Sequence, residues 1–156
     1  MIRPYPELTV GAFIVDAKGR ILLVVSPKWG YKYSIPGGHV LHGEKVFDAV
    51  VREAAEEVGL QVEPVEVIAF QEIYNPAMFY RKNRHFIFVD VLCKAISTDV
   101  KTDGAEVHGH IWVSPAKALK LPLEKYTKRL IRHYLKSRRV NRLKFFSEPF
   151  RAKQKT

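Results

Sequence analysis

Blocks of apolar and polar positions set out an order of strands and helices. Residues 8–16 and 20–26 are strand-like apolar runs, and Asp16-Ala17-Lys18-Gly19 between them predicts a hairpin. An aromatic-rich loop covers residues 27–33, a short strand 34–36, and a loop 37–44. From residue 45 to 58 the spacing changes from two to between three and four. Phe47, Val50, Val51, Ala54 and Val58 then form the stripe of an amphipathic helix. Asp48 suits its first turn electrostatically and Gly59 its end. Two long strands are predicted over 62–74 and 85–95, separated by a polar and aromatic loop. A polar loop over 97–106 leads to a strand over 107–113. Ser114-Pro115 then reads as the N-cap and first position of a short helix reaching about residue 119. Tyr126, Leu130, Ile131, Tyr134 and Leu135 predict a second long helix over 124–136. Strands, a central helix, more strands and a closing helix imply an α/β domain with a mixed sheet layered between helices.

Length and composition narrow the class. A chain of 156 residues, 47% hydrophobic and 27% charged, is expected to form one globular domain. We place it over residues 1–137, with 138–156 as a basic extension. A single cysteine, Cys93, rules out an intrachain disulfide and reads as a buried thiol. The N-terminal apolar run is too short to span a membrane and lacks a cleavage-site pattern, so the cytoplasm is the expected location. The net charge of +10 is concentrated at one end. Residues 125–156 carry twelve Lys or Arg and one acid, Glu148; the preceding residues carry 14 basic and 15 acidic groups. Such an end suits nucleic acid, a phosphorylated substrate or an acidic partner, or is simply a solvated basic helix and tail.

The predicted central helix carries an unusual density of acid. Glu53, Glu56 and Glu57 share one face within a single turn, and Arg52 stands four residues before Glu56. Three carboxylates so placed repel one another, and one arginine cannot neutralise all three. A hard divalent cation can, since Mg²⁺ and Mn²⁺ take oxygen ligands in an octahedral shell. The same acids would otherwise be only a solvated face with one ion pair.

The wider pattern decides between these readings. Gly38 is followed after five residues by Glu44, then after seven by Arg52-Glu53, and Glu56, Glu57, Gly59 and Leu60 close the run. This stretch resembles the signature of the Nudix hydrolases, G-x5-E-x7-R-E-U-x-E-E-x-G-U, where U is a bulky aliphatic residue. Ala54 is the single departure. The resemblance implies a mixed sheet between helices. It also implies Mg²⁺- or Mn²⁺-dependent cleavage of a nucleoside diphosphate linked to a group X, giving a nucleoside monophosphate and phospho-X. It makes Glu53, Glu57 and Glu56 metal ligands, with the Gly38 carbonyl beside them, and Arg52 their orienting partner. The general base is expected to be a motif glutamate, Glu56 among them, or a later acid. Glu106, six residues before Trp112, matches the second option as metal ligand or base. Were the chain already extended at Glu106, then Glu106, His108, His110 and Trp112 would share a face. Glu44 either assists a ligand or favours the helix N-terminus.

The substrate is less constrained. Tyr33, Arg81 and Arg84 are candidate substrate contacts, among loop aromatics that include Trp29, Tyr31 and Tyr74. His39 and His42 are expected to make loop hydrogen bonds rather than bind metal. Three readings follow: an enzyme on free nucleotide derivatives, an enzyme on capped or triphosphorylated RNA ends guided by the basic C-terminus, or a non-catalytic nucleotide-binding module. No membrane partner is expected, and the resemblance leaves a homodimer open.

Overall fold

The computed structural model describes residues 5–74, 83–102 and 104–137. Seven strands form one sheet: β1 (Glu7–Val15), β2 (Ile21–Val25), β3 (Tyr33–Ser34), β4 (Gly37–His39), β5 (Val62–Tyr74), β6 (His85–Ala95) and β7 (Gly109–Val113). Three α-helices complete the described chain: α1 (Val46–Val58), α2 (Pro115–Ala118) and α3 (Lys125–Ser137). The strand order is β3-β2-β1-β6-β5, with β4 on β1 and β7 on β2. Pairing of β1 with β6 is parallel, from Glu7 opposite Phe86 to Val15 opposite Lys94, while the other pairs are antiparallel. The sheet is therefore mixed, as the element order implies.

Alternation along β1 feeds two cores. Val10, Ala12 and Ile14 face α1, where they pack with Leu22, Val50, Ala54 and Val58. Phe13 faces the other side and packs with Ile21, Leu23, Leu130 and Ile131 under α3. Its ring lies 4.6 Å from that of Tyr134. Sheet and helices thus form three layers. Cys93 is buried in the first core, as expected of a structural thiol, and burial pushes its pKa up to about 12.

Three local expectations change. The loop predicted over 37–44 begins as strand β4, which seats Gly37 and Gly38 against Gly11 and Val10 of β1. A Cβ on Gly37 would lie 2.1 Å from the Val10 carbonyl oxygen, so only glycine permits this approach. On α1, Val51 is exposed, whereas Glu53 is buried beside Ala49, Val50, Ala54 and Val58. The buried face is thus rotated toward the acids, and the small Ala54 fits flush within it. Ser114 does occupy the N-cap of α2, but its side chain makes no capping bond. The hairpin at Asp16 forms as predicted, with its carboxylate accepting from the backbone N–H of Lys18 and Arg20 at 3.0 and 2.8 Å and from Arg20 Nε at 2.7 Å. Among the described residues, no helix is long and apolar enough to cross a membrane.

Candidate active site

The acids of α1 lie across the glycines of β4. Gly37 N–H donates to Glu57 Oε2 at 3.0 Å. The carboxylate of Glu53 lies over Gly38 so closely that a Cβ there would be 2.4 Å from its carbon. These contacts explain the two glycines: one avoids the β1 backbone, and the other leaves room for a carboxylate. Glu57 is half-buried, and its pKa is raised to about 7. Burial is the main cause; the Gly37 hydrogen bond and Lys28 oppose it, while the negative charges of Glu53 and Glu106 add to it.

Arg52 organises the lead-in. Its Nε and Nη2 donate to Glu44 Oε1 and Oε2 at 2.7 and 2.9 Å, a two-pronged pairing. Nη1 donates to Glu53 Oε1 at 2.7 Å and to Glu56 Oε2 at 3.1 Å, and Nη2 also donates to the His39 carbonyl at 2.8 Å. Glu44 in turn accepts the Leu41 N–H at 2.9 Å. Chiefly through the Arg52 hydrogen bond, Glu44 is held below the ordinary carboxylate pKa. Glu44 therefore clamps the loop to the arginine. The expected Arg52–Glu56 pair exists, but it is one of four contacts, and Glu56 remains largely exposed.

Glu106 sits in an exposed bend ahead of β7, near enough to Glu57 to raise its pKa electrostatically. Val107 is buried in the α1-side core, while Glu106, His108 and His110 are exposed; β7 itself begins at Gly109, so Glu106 lies ahead of the strand. The His108 ring lies 5.9 Å from that of Tyr31, and Trp112 donates to the Thr98 carbonyl at 3.2 Å.

The substrate candidates separate. Tyr33 packs against the core under α3 rather than beside the glutamates. Arg84 is buried, pairs with Glu7 through two guanidinium nitrogens and lies over the Phe86 ring. His39 Nε2 donates to the Glu7 carboxylate at 2.9 Å, in keeping with a hydrogen-bonding role. Arg81 lies outside the described residues. Lys28 was not singled out in the sequence. It sits in a 3-10 turn, Pro27–Trp29, closed by Gly30 and Tyr31 at positive φ, and lines a cleft with Gly37 and Gly38. Only the fold brings it to Glu57, since a lysine in an aromatic loop carries no spacing signal.

The donors suit a hard cation in their chemistry: carboxylate oxygens on two adjoining glycines, with Glu57 under like-charge pressure from Glu53 and Glu106. Among the described residues, no three His, Cys, Asp or Glu side chains already enclose a common point. A bound ion would thus depend on oxygens from substrate or water as well as on the protein.

The NUDIX domain family matches residues 6–134. The chain belongs to this family. It is 27% identical over 124 residues to Nudix hydrolase 5 of Arabidopsis thaliana, covering 77% of this chain and 37% of that protein. An m7GpppN-mRNA hydrolase of Danio rerio is 34% identical over 90 residues, covering 50% and 30%. A MutT NUDIX hydrolase of Burkholderia pseudomallei superposes with a TM-score of 0.71 at 26% identity, covering 83% of this chain and 98% of that one. The chain spans little more than a third of the length of the first curated relatives it matches.

Proposed function

We propose that this Nudix domain is a divalent-cation-dependent pyrophosphohydrolase that cleaves a nucleoside diphosphate linked to a group X. The observation that carries this reading is the placement of Glu53 and Glu57 over Gly37 and Gly38, with Lys28, which lines a cleft with the same glycines, near enough to Glu57 to favour its charged form. Glu53, Glu57 and the Gly38 carbonyl would hold Mg²⁺ or Mn²⁺, with Glu56 at the edge. Once bound, the cation shields the pyrophosphate and lowers the pKa of an attacking water. Arg52 keeps Glu53 and Glu56 in place and does not touch substrate. Lys28 binds a phosphate oxygen. Glu106 accepts the proton from the water; Glu56, by contrast, is held by Arg52. The test is a panel of nucleotide derivatives with Mg²⁺ or Mn²⁺ and product identification, using Glu53→Gln as the contamination control. Hydrolysis to a nucleoside monophosphate that disappears in the variant supports the reading. Hydrolysis of nothing sinks it. Unchanged turnover in Glu106→Gln would remove Glu106 from the mechanism.

A second substrate class, RNA 5′ ends, is supported by the basic outer face of α3. Lys125, Arg129, Arg132 and Lys136 recur there at helical spacing, all exposed. Relatives named as an m7GpppN-mRNA hydrolase and an NAD-capped RNA hydrolase fit this alternative. A non-catalytic module is disfavoured by the intact set of motif glutamates.

A further inference from the structure

Strand β4 has a single side chain. Gly37 and Gly38 carry none, so His39 is the residue by which the strand can be held other than through its backbone. The backbone bonds divide by edge. On the inner edge the Val40 N–H donates to the Leu8 carbonyl at 3.0 Å, and the Ala12 N–H donates to the Pro36 carbonyl at 2.8 Å. At positions 37 and 39, between these bonds, antiparallel pairing turns the polar groups away from β1. There the Gly37 N–H donates to Glu57, and the His39 carbonyl accepts from Arg52. Two side chains of the motif helix therefore take their bearings from the outer edge of β4.

A buried ion pair reaches that one side chain. His39 lies opposite Thr9, and Glu7, two residues before Thr9, shares its face of the sheet. His39 Nε2 donates to Glu7 at 2.9 Å. Arg84 donates to both oxygens of the same carboxylate, and the two side chains are only 4% and 10% exposed for Glu7 and Arg84. Phe86 stands opposite Glu7 in the parallel pairing. Its ring lies 5.0 Å from the Arg84 guanidinium and 6.3 Å from the His39 ring. One run of contacts thus leads from Arg84 through Glu7 to His39. From the His39 carbonyl it continues through Arg52 to Glu53 and Glu56. Apolar residues of similar volume often stabilise such a place as well or better, so stability alone is a weak reason for an ion pair there.

We propose that Glu7 and Arg84 are positioning residues for the cation site, acting through His39 to fix the outer edge of β4 on which Arg52 and Glu57 are set. Neither residue touches the cation or the substrate. Arg84, a substrate candidate by sequence, serves the site at one remove. The three residues come from β1, from the motif and from the start of β6, so the brace also ties the motif to the two strands that flank it in the chain. The proposal rests on the pyrophosphohydrolase reading, because it assigns the ion pair to that reading's cation site.

Mn²⁺ binding to the full chain, read by calorimetry and by loss of the free ion's electron paramagnetic resonance signal, tests this without nucleotide or turnover. His39→Phe keeps a ring beside Phe86 and removes the N–H. It should weaken Mn²⁺ binding about tenfold, the scale of losing a partner that orients metal ligands. Its melting temperature should stay close to that of the wild type, since the His39 side chain is 48% exposed. His39→Gln restores an N–H at similar reach and should recover most of the affinity. Glu7→Leu combined with Arg84→Met exchanges the ion pair for apolar groups of similar volume. This double replacement should fold as stably as the wild type or more so, yet weaken Mn²⁺ by the same factor as His39→Phe. Adding His39→Phe to it should weaken binding little further, because residues that act as one unit are not additive. Should the double replacement fail to fold, the two His39 variants decide. Unaltered affinity in His39→Phe and in the double replacement would overturn the proposal. A loss that His39→Gln does not restore, or one that only follows the melting temperature, would overturn it as well. A wild type that binds no Mn²⁺ sinks the cation-dependent reading and this one together. A wild type that binds Mn²⁺ and hydrolyses nucleotide, with variants that bind equally well, sinks the brace alone.

Discussion

Gly38 and Glu53 occupy nearly the same space. A methyl group at Gly38 would sit 2.4 Å from the Glu53 carboxyl carbon, so that carboxylate must leave its position over β4. Gly38→Ala is expected to lower kcat by about 100-fold, the scale of losing positioning at a reacting centre, and to weaken Mg²⁺ binding while the fold persists. Kinetics, metal titration and circular dichroism check the three parts. The sequence shows that Gly38 belongs to a motif; it does not show that its missing side chain is filled by a glutamate fifteen positions away. Glu57 and Asp90 give a second test at this scale. Burial raises both folded pKa values to about 7, from ordinary values of 4.5 and 3.8. The folded protein therefore keeps protons that the unfolded chain has already released between about pH 4 and 7. Across that window these two groups make stability fall as pH rises, and Asp90→Asn should flatten the fall. Melting temperatures from pH 4 to 8 without metal would show it; a slope unchanged by the variant would remove Asp90 as a cause.

Elements with a strong repeat were legible before the fold was seen. The stripe of α3 and the apolar runs of β1, β5 and β6 each mark one element, and all four form close to their expected bounds. By contrast β4 was not legible. Gly37-Gly38-His39 has no apolar alternation, and its strand character comes from close approach to β1, a tertiary event. Val51 misleads for the opposite reason: its apolar side chain fits the repeat, but the helix turns Glu53 and Glu57 inward instead. The end of α1 is set locally and tightly. Gly59 has φ +65, and a Cβ there would lie 2.8 Å from the Lys101 carbonyl oxygen. Gly59→Ala should cost about 1–2 kcal/mol from the left-handed backbone alone, with more from the clash. Denaturant midpoints measure this, and kcat should fall as well, because Glu57 stands in the last turn that Gly59 closes.

At the scale of the molecule, charge and chemistry separate. The acids that define the motif lie on one side of the sheet and the basic face of α3 on the other, continued in sequence by the basic residues of 138–156. The excess of positive charge was visible from the sequence, but its purpose was not, because charge alone does not distinguish a substrate track from a solvated end. Binding to single-stranded RNA should weaken steeply with salt, and removing residues 138–156 should reduce that slope. An affinity and slope unaltered by the truncation would confine any RNA contact to the folded part.

The parallel pairing of β1 with β6 also has a consequence in time. The motif segment lies between these strands in the chain, and its seat on β4 needs β1, which needs β6 for its other edge. A growing chain that has just finished the motif holds every signature residue and no site. Parallel pairings across such distances form late and slowly. An excised peptide of residues 38–60 is therefore expected to bind Mg²⁺ no better than an unrelated acidic peptide of equal charge, a comparison calorimetry can make. The signature spells the chemistry, but the strand that completes its seat is translated after it.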